Sequence, residues 1–157
     1  MNINIIAVGK IKENFIKSGI EEFIKRTQPY SSIKIIEIEA SKYNCQNCLI
    51  NKNLEIEAKK ILNQIPDFAY VIILDIYKKQ LDSEEFALQI KEINLKGINH
   101  LIYVIGGAFG LSEKVKQRAD FSLSLSKMTF PHQLVRLFLV EQIYRAFRII
   151  NNEPYHK

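Results

Sequence analysis

Four stretches of this sequence hold side chains with chemical capability. The segment Pro154-Tyr155-His156-Lys157 sets an aromatic ring, an imidazole and a cation side by side after a proline. That set can stack on a base, donate hydrogen bonds and hold a phosphate, or it is simply a frayed end. The segment Ile105-Gly106-Gly107-Ala108-Phe109-Gly110-Leu111-Ser112 gathers three glycines after an apolar run. Glycine lets backbone N–H groups approach a ligand closely, and it equally serves a tight turn. The spacing fits neither the dinucleotide fingerprint nor a Walker loop. The polar run from Ser122 to His132 leads into a helix opened by Pro131. Its backbone groups suit the edge of an adenine, unless it is an ordinary strand-to-helix loop. Finally, Cys45 and Cys48 form a lone C-x-x-C with no second pair, and the nearest histidine is His100. Zinc wants four ligands, so no metal is expected, and two incidental thiols are favoured over a redox pair.

These groups need elements to position them. Apolar, β-rich runs occur at Asn2 to Val8, Ile33 to Ile38, Tyr70 to Leu74, Leu101 to Ile105 and Phe121 to Leu125. The third and fourth are almost continuous in Val, Ile, Leu and Tyr, as in strands covered on both faces. Helical spacing fills the gaps. Ile16, Ile20, Phe23 and Ile24 share a face; so, less cleanly, do Leu54, Ile61, Leu62 and Ile65; Phe86, Ile90 and Ile93 mark a third helix. Asp82 and Glu85 are spaced to cap that helix reciprocally. A short helix follows Ser112, and the last runs from about Pro131 to Ile149. Alternation of strand and helix predicts one α/β domain over residues 1–157, mostly parallel, with helices on both faces. Ligands bind such sheets beyond the strands' carboxyl ends, here Gly9, Asp75, Gly106-Gly107 and Ser126-Lys127.

The last helix is apolar on every side, from Leu134 through Ile149. One sheet covers one face, so a second copy of the chain is expected on another, a homodimer; a central helix in a monomer is the alternative. With 157 residues, 47% hydrophobic and 25% charged, the chain is long enough to bury a core without staples. No run is long enough to span a bilayer and no leader peptide opens the sequence, so a cytoplasmic protein is expected. Net charge is +5, and residues 112–157 hold eight Lys/Arg against four Asp/Glu, where the rest holds 14 against 13. The excess is therefore local, either a solvated face or a phosphate-contacting surface.

Taken together, Ile105-Gly106-Gly107, Leu123-Ser124-Leu125-Ser126, Thr129 through Arg136, Glu141-Gln142-Ile143-Tyr144-Arg145-Ala146 and Pro154-Tyr155-His156-Lys157 closely resemble the bacterial ribosomal large-subunit pseudouridine methyltransferase family. Ala7-Val8-Gly9-Lys10, Leu74-Asp75 and Ser83 through Ala87 extend the likeness over the whole chain. Phe130, Ile76-Tyr77 and the segment around Cys45 depart from the family's pattern. The resemblance implies a small SPOUT-class α/β fold with a C-terminal trefoil knot, which ordinary topology rules do not anticipate. It implies a homodimer that binds S-adenosylmethionine through Leu74, Gly106, Leu125, Ser126, Lys127, Met128, Thr129 and Phe130. It implies methylation of N3 of pseudouridine 1915 in the helix 69 hairpin of 23S rRNA, on the assembled ribosome, with each chain's tail completing its neighbour's site. An imide nitrogen attacks only once its proton leaves, so a base or a stabilising cation is needed. His156 is the candidate base with Tyr155 positioning the substrate; Glu141 and His132 are further candidates, and Arg136, Arg145 and Lys157 are charge partners. Glu141 and Arg145, four apart, are also spaced to pair on a helix surface. The competing readings are another RNA or ribose methyltransferase of the superfamily, a ribosome-binding module without catalysis, and a nucleotide-binding redox protein using Cys45 and Cys48.

Overall fold

The computed structural model describes residues 1–41 and 47–155, with side chains of residues 47–49 left out of account. Cys45, His156 and Lys157, and the side chain of Cys48, therefore lie outside the described residues. In chain order the elements are β1 (Asn2–Val8), α1 (Asn14–Thr27), β2 (Ser32–Ile38), α2 (Asn47–Leu62), β3 (Tyr70–Gln80), α3 (Ser83–Leu95), β4 (His100–Ile105), α4 (Glu113–Arg118), β5 (Phe121–Ser124) and α5 (His132–Ile150).

The strands form one sheet in the order β2-β1-β4-β3-β5, with every pairing parallel. Alternate residues face opposite ways, and each side is dry. Ile3, Ile5 and Ala7 of β1 and Leu101, Tyr103 and Ile105 of β4 enter one core with α1, α3 and α5. Ile6 and Val8 of β1 and Ile102 and Val104 of β4 enter a second core with α2 and α4. This is why β4 reads as an unbroken apolar run: it lies in the middle of the sheet, closed from above and below. Each such side chain stabilises the fold by roughly 1.5–3 kcal/mol.

Local signals fix the helix starts. Asp82 accepts from Glu85 N at 2.7 Å while the Glu85 carboxylate accepts from Asp82 N at 2.9 Å, the reciprocal cap that opens α3. Pro131 is the cap of α5 and not its first helical residue, with φ −54° and ψ 133°. The main departure from expectation is β3, which runs to Gln80 instead of stopping at Leu74. Leu74 and Lys79 both lie opposite Leu123, so residues 75–78 bulge out between two stretches of pairing with β5. That polar, exposed excursion hides the strand's continuation from any reading of apolar runs.

Candidate active site

The register brings the predicted loops together. Leu74 is opposite both Ile105 and Leu123, so the end of β3's inner stretch, the start of the glycine loop and the end of β5 stand in a row. Beyond them opens a cleft of about 790 Å³. One wall is Leu123, Ser124, Leu125, Ser126 and Phe130; the second is Leu81 through Glu84 with Phe86; the third is Phe138, Glu141 and Gln142 on α5. Of the residues expected to hold a cofactor, Leu125, Ser126 and Phe130 line this cleft. Leu74 is the last residue of β3 before its bulge and Gly106 follows β4 directly, while Lys127, Met128 and Thr129 are exposed on the loop.

Hydrogen bonds shape the loop after β5. Ser124 Oγ lies 2.9 Å from the Ser126 carbonyl and 3.2 Å from that of Ile76, tying the loop to the β3 bulge. Ser126 Oγ accepts from Met128 N at 2.9 Å. The rings of Phe130 and Phe138 meet edge to face at 5.2 Å. Gly106 answers to a different demand: a Cβ there would lie 2.6 Å from Gly110 O. The glycine is needed because the Gly107–Gly110 turn, closed by a 3.0 Å bond, folds back on the strand end.

A chain of polar groups runs along the α5 side. Ser83 Oγ donates to Gln142 Oε1 at 2.9 Å, and Gln142 Nε2 donates to Glu141 Oε2 at 2.7 Å. Glu141 Oε1 accepts from Arg145 Nη2 at 2.7 Å, from Arg145 Nε at 3.0 Å and from Tyr155 OH at 3.2 Å. The Arg145 guanidinium also sits 4.8 Å above the Tyr155 ring, which meets Tyr144 edge to face. Burial, then the Glu141 carboxylate, pushes the Tyr155 phenol above its usual range, so it remains a neutral donor. Both Glu141 oxygens are engaged, so this carboxylate orients Arg145 and Tyr155. The pair is half-enclosed beside the cleft, not a solvated surface contact. The sequence assigns no role to Ser83 or Gln142; two adjacent polar residues on an apolar helix are its one signal for Gln142.

Arg136 is elsewhere. It is 1% exposed and lines no part of the cleft. Its Nη2 donates to Val8 O and Gly9 O, each at 2.8 Å, and its Nη1 to Glu37 Oε1 at 3.0 Å. Glu37 Oε1 also accepts from Ile11 N at 2.8 Å, and Gln133 Oε1 from Lys12 N at 2.7 Å. The first turn of α5 thus clamps the turn after β1, where Gly9 takes φ +90°. Burial pushes the Arg136 guanidinium down and Glu37 opposes it. Next to it, partial enclosure of the His132 ring, reinforced by the Arg136 charge, pushes that imidazole below its usual range and keeps it neutral near pH 7.

Comparison with known proteins places this geometry. A family profile described as "Predicted SPOUT methyltransferase" matches residues 1–156. A protein of Halothermothrix orenii named ribosomal RNA large subunit methyltransferase H is 47% identical over 159 residues, covering all of both chains. One of the same name from Carboxydothermus hydrogenoformans is 50% identical over 159 residues, again with full coverage of both. Among solved structures, a probable methylase family protein from Haemophilus influenzae superposes with a TM-score of 0.61 over 99% of this chain and 70% of its own, at 12% identity.

Proposed function

The chain belongs to the SPOUT methyltransferase family, and we propose that it transfers the methyl group of S-adenosylmethionine to N3 of pseudouridine 1915 in 23S rRNA, within the helix 69 hairpin of the assembled ribosome. The observation that carries this reading is the cleft itself: the loop expected to hold the cofactor and the polar chain of α5 face each other across one space. Full-length likeness to proteins named ribosomal RNA large subunit methyltransferase H supports the substrate. An rRNA substrate assigns the work to the cytoplasm.

The residues fit the cofactor. Leu81, Phe86, Leu123, Leu125, Phe130 and Phe138 give apolar walls for a flat purine, and Ser83, Ser126 and Gln142 add polar groups for orientation. Bound there, S-adenosylmethionine supplies an activated methyl group on a sulfonium. The protein's part is to align donor and nitrogen and to take up the N3 proton. His156 is the proposed base. Tyr155, a neutral donor fixed by Glu141, positions the pseudouridine. Arg145, held by the same carboxylate, stabilises negative charge developing on the base as its proton leaves.

The functional unit is proposed to be a homodimer paired across α5. Phe138, which lines the cleft, is 40% exposed, Met128 on the loop after β5 is 70% exposed, and Tyr155 packs on Tyr144 of the same helix as Phe138. Pairing there buries this apolar surface and brings one chain's tail to the other's cleft. The trefoil knot expected of the class belongs to the same proposal; α5 leaves the β5 edge and packs between α1 and α3.

The test is incubation with labelled S-adenosylmethionine and ribosomes from a strain lacking the modification, followed by mapping. Label at N3 of pseudouridine 1915 is expected; label elsewhere, or none, refutes the assignment. His156→Ala, with cofactor binding measured by calorimetry, separates the base from the pocket. Unchanged methylation removes His156 from the mechanism.

A further inference from the structure

The carboxyl-terminal rim of the sheet carries a second set of groups that the cleft does not use. Lys10 and Lys12 follow β1, and Lys78 and Lys79 lie on the outer stretch of β3; all four are exposed. Among the described residues they form no ion pair, whereas Lys60 and Lys116 are paired with Glu39 and Glu113. Of the acids near the rim, Glu37 is paired with Arg136, while Asp75 accepts only the neutral Tyr77 N–H at 3.1 Å and keeps its charge. Glu13 beside Lys12 offsets part of the charge. Strands β1 and β3 are separated only by β4. At about 4.8 Å per strand, the axes of β1 and β3 run about 10 Å apart across β4.

On the β3 bulge, next to Lys78 in sequence, Tyr77 is 86% exposed. A large ring left in water is ordinarily a loose one, yet the backbone beneath this one is braced on both sides. Tyr77 N is tied to Asp75, and the Ile76 carbonyl faces Ser124 Oγ at 3.2 Å. The bulge between the two registers of β3 therefore carries the exposed ring on a braced backbone, followed in sequence by the exposed Lys78 and Lys79.

We propose that this rim, with Lys10, Lys12, Lys78 and Lys79 on phosphates and Tyr77 stacked on an unpaired base, is the surface by which the chain grips ribosomal RNA outside its catalytic cleft. The inference rests on the ribosomal substrate proposed above. Lysines without partners neutralise phosphates and release counterions, and an aromatic face accepts any exposed base. The rim sets where the RNA lies; the cleft performs the transfer.

The experiment is co-sedimentation with 70S ribosomes across a KCl series, with S-adenosylmethionine affinity measured by calorimetry on each protein. Lys10→Gln/Lys12→Gln and Lys78→Gln/Lys79→Gln are each expected to weaken ribosome binding and to flatten its logarithmic salt dependence by about one to two units. Tyr77→Ala weakens binding about 5- to 100-fold, and Tyr77→Phe restores it. Lys91→Gln/Lys96→Gln, changed at the far end of α3, sediments like the unchanged protein. Cofactor affinity stays constant throughout, and under limiting ribosomes KM rises while kcat holds. Rim variants that sediment and depend on salt like the unchanged protein overturn the proposal. If the unchanged protein methylates ribosomes and the rim variants match it, the rim alone is wrong. If the unchanged protein does not bind ribosomes at all, rim and ribosomal substrate fall together.

Discussion

Arg136→Met separates a catalytic arginine from a structural one. The substitution keeps an unbranched apolar stem in a site that is 1% exposed but removes three charge-assisted bonds, to Val8 O, Gly9 O and Glu37. Breaking a buried pair by deleting one partner costs about 3–5 kcal/mol. Glu37 is one-third exposed and regains water, so the low end applies, about 3 kcal/mol. With a urea slope of about 2 kcal/mol per molar, the midpoint falls by about 1.5 M. The assay is urea unfolding at fixed protein concentration, alongside Glu37→Gln and the double variant. A coupling of about 1–2 kcal/mol between the two positions is expected, because they share one ion pair. Cofactor binding should weaken with stability, since the first turn of α5 follows directly on the loop of Ser126 and Phe130. The reasoning is refuted if Arg136→Met unfolds within about 0.5 kcal/mol of the unchanged protein while methylation collapses. Arg136 would then act on substrate.

Three further outcomes are expected. Gly106→Ala places a methyl group 2.6 Å from Gly110 O, so the Gly107–Gly110 turn must shift. A loss of about 1–3 kcal/mol and weakened S-adenosylmethionine binding should follow, and unaltered calorimetry would contradict it. Tyr103 is fully buried, and among the described residues its hydroxyl has no hydrogen-bond partner. Tyr103→Phe should therefore leave urea stability unchanged or raise it by up to about 1 kcal/mol, and a clear loss would reveal a missed partner. His132 has a lowered folded-state pKa, so the unfolded chain takes up its proton first as pH falls below about 6.5. Its stabilising contribution is complete above that pH and is lost as pH drops through the folded value; His132→Gln should flatten this part of the stability profile, and an unchanged slope would exclude the effect.

Much of the architecture was legible because its causes are local. The reciprocal cap at Asp82 and Glu85, the two-sided burial of β4 and the helical spacing of Ile16 and Ile20 each show within a few residues. The outer half of β3 did not show, because its pairing with β5 resumes only after a polar bulge. The same divide runs through the site. Leu125, Ser126 and Phe130 are neighbours in sequence and in space. Arg136 reads from the sequence as a charge partner for the reaction because nothing nearby reveals Glu37, 99 residues away. Likewise, Ser83 meets Gln142 only after α3 and α5 have packed together.

The docking of α5 between α1 and α3 has a consequence during synthesis. Ile3 and Ile5 of β1 share their core with Leu139, Val140 and Ile143, and Arg136 reaches Val8 across 128 residues. At about 5–20 residues per second, the first strand waits roughly 6–25 s for the helix that covers it. Throughout that interval one face of the nascent sheet lacks its cover and depends on chaperones or on the emerging α1 and α3 for shelter. Translational pausing before codon 132 should therefore lower the yield of soluble protein, whereas a pause after α5 has emerged should not.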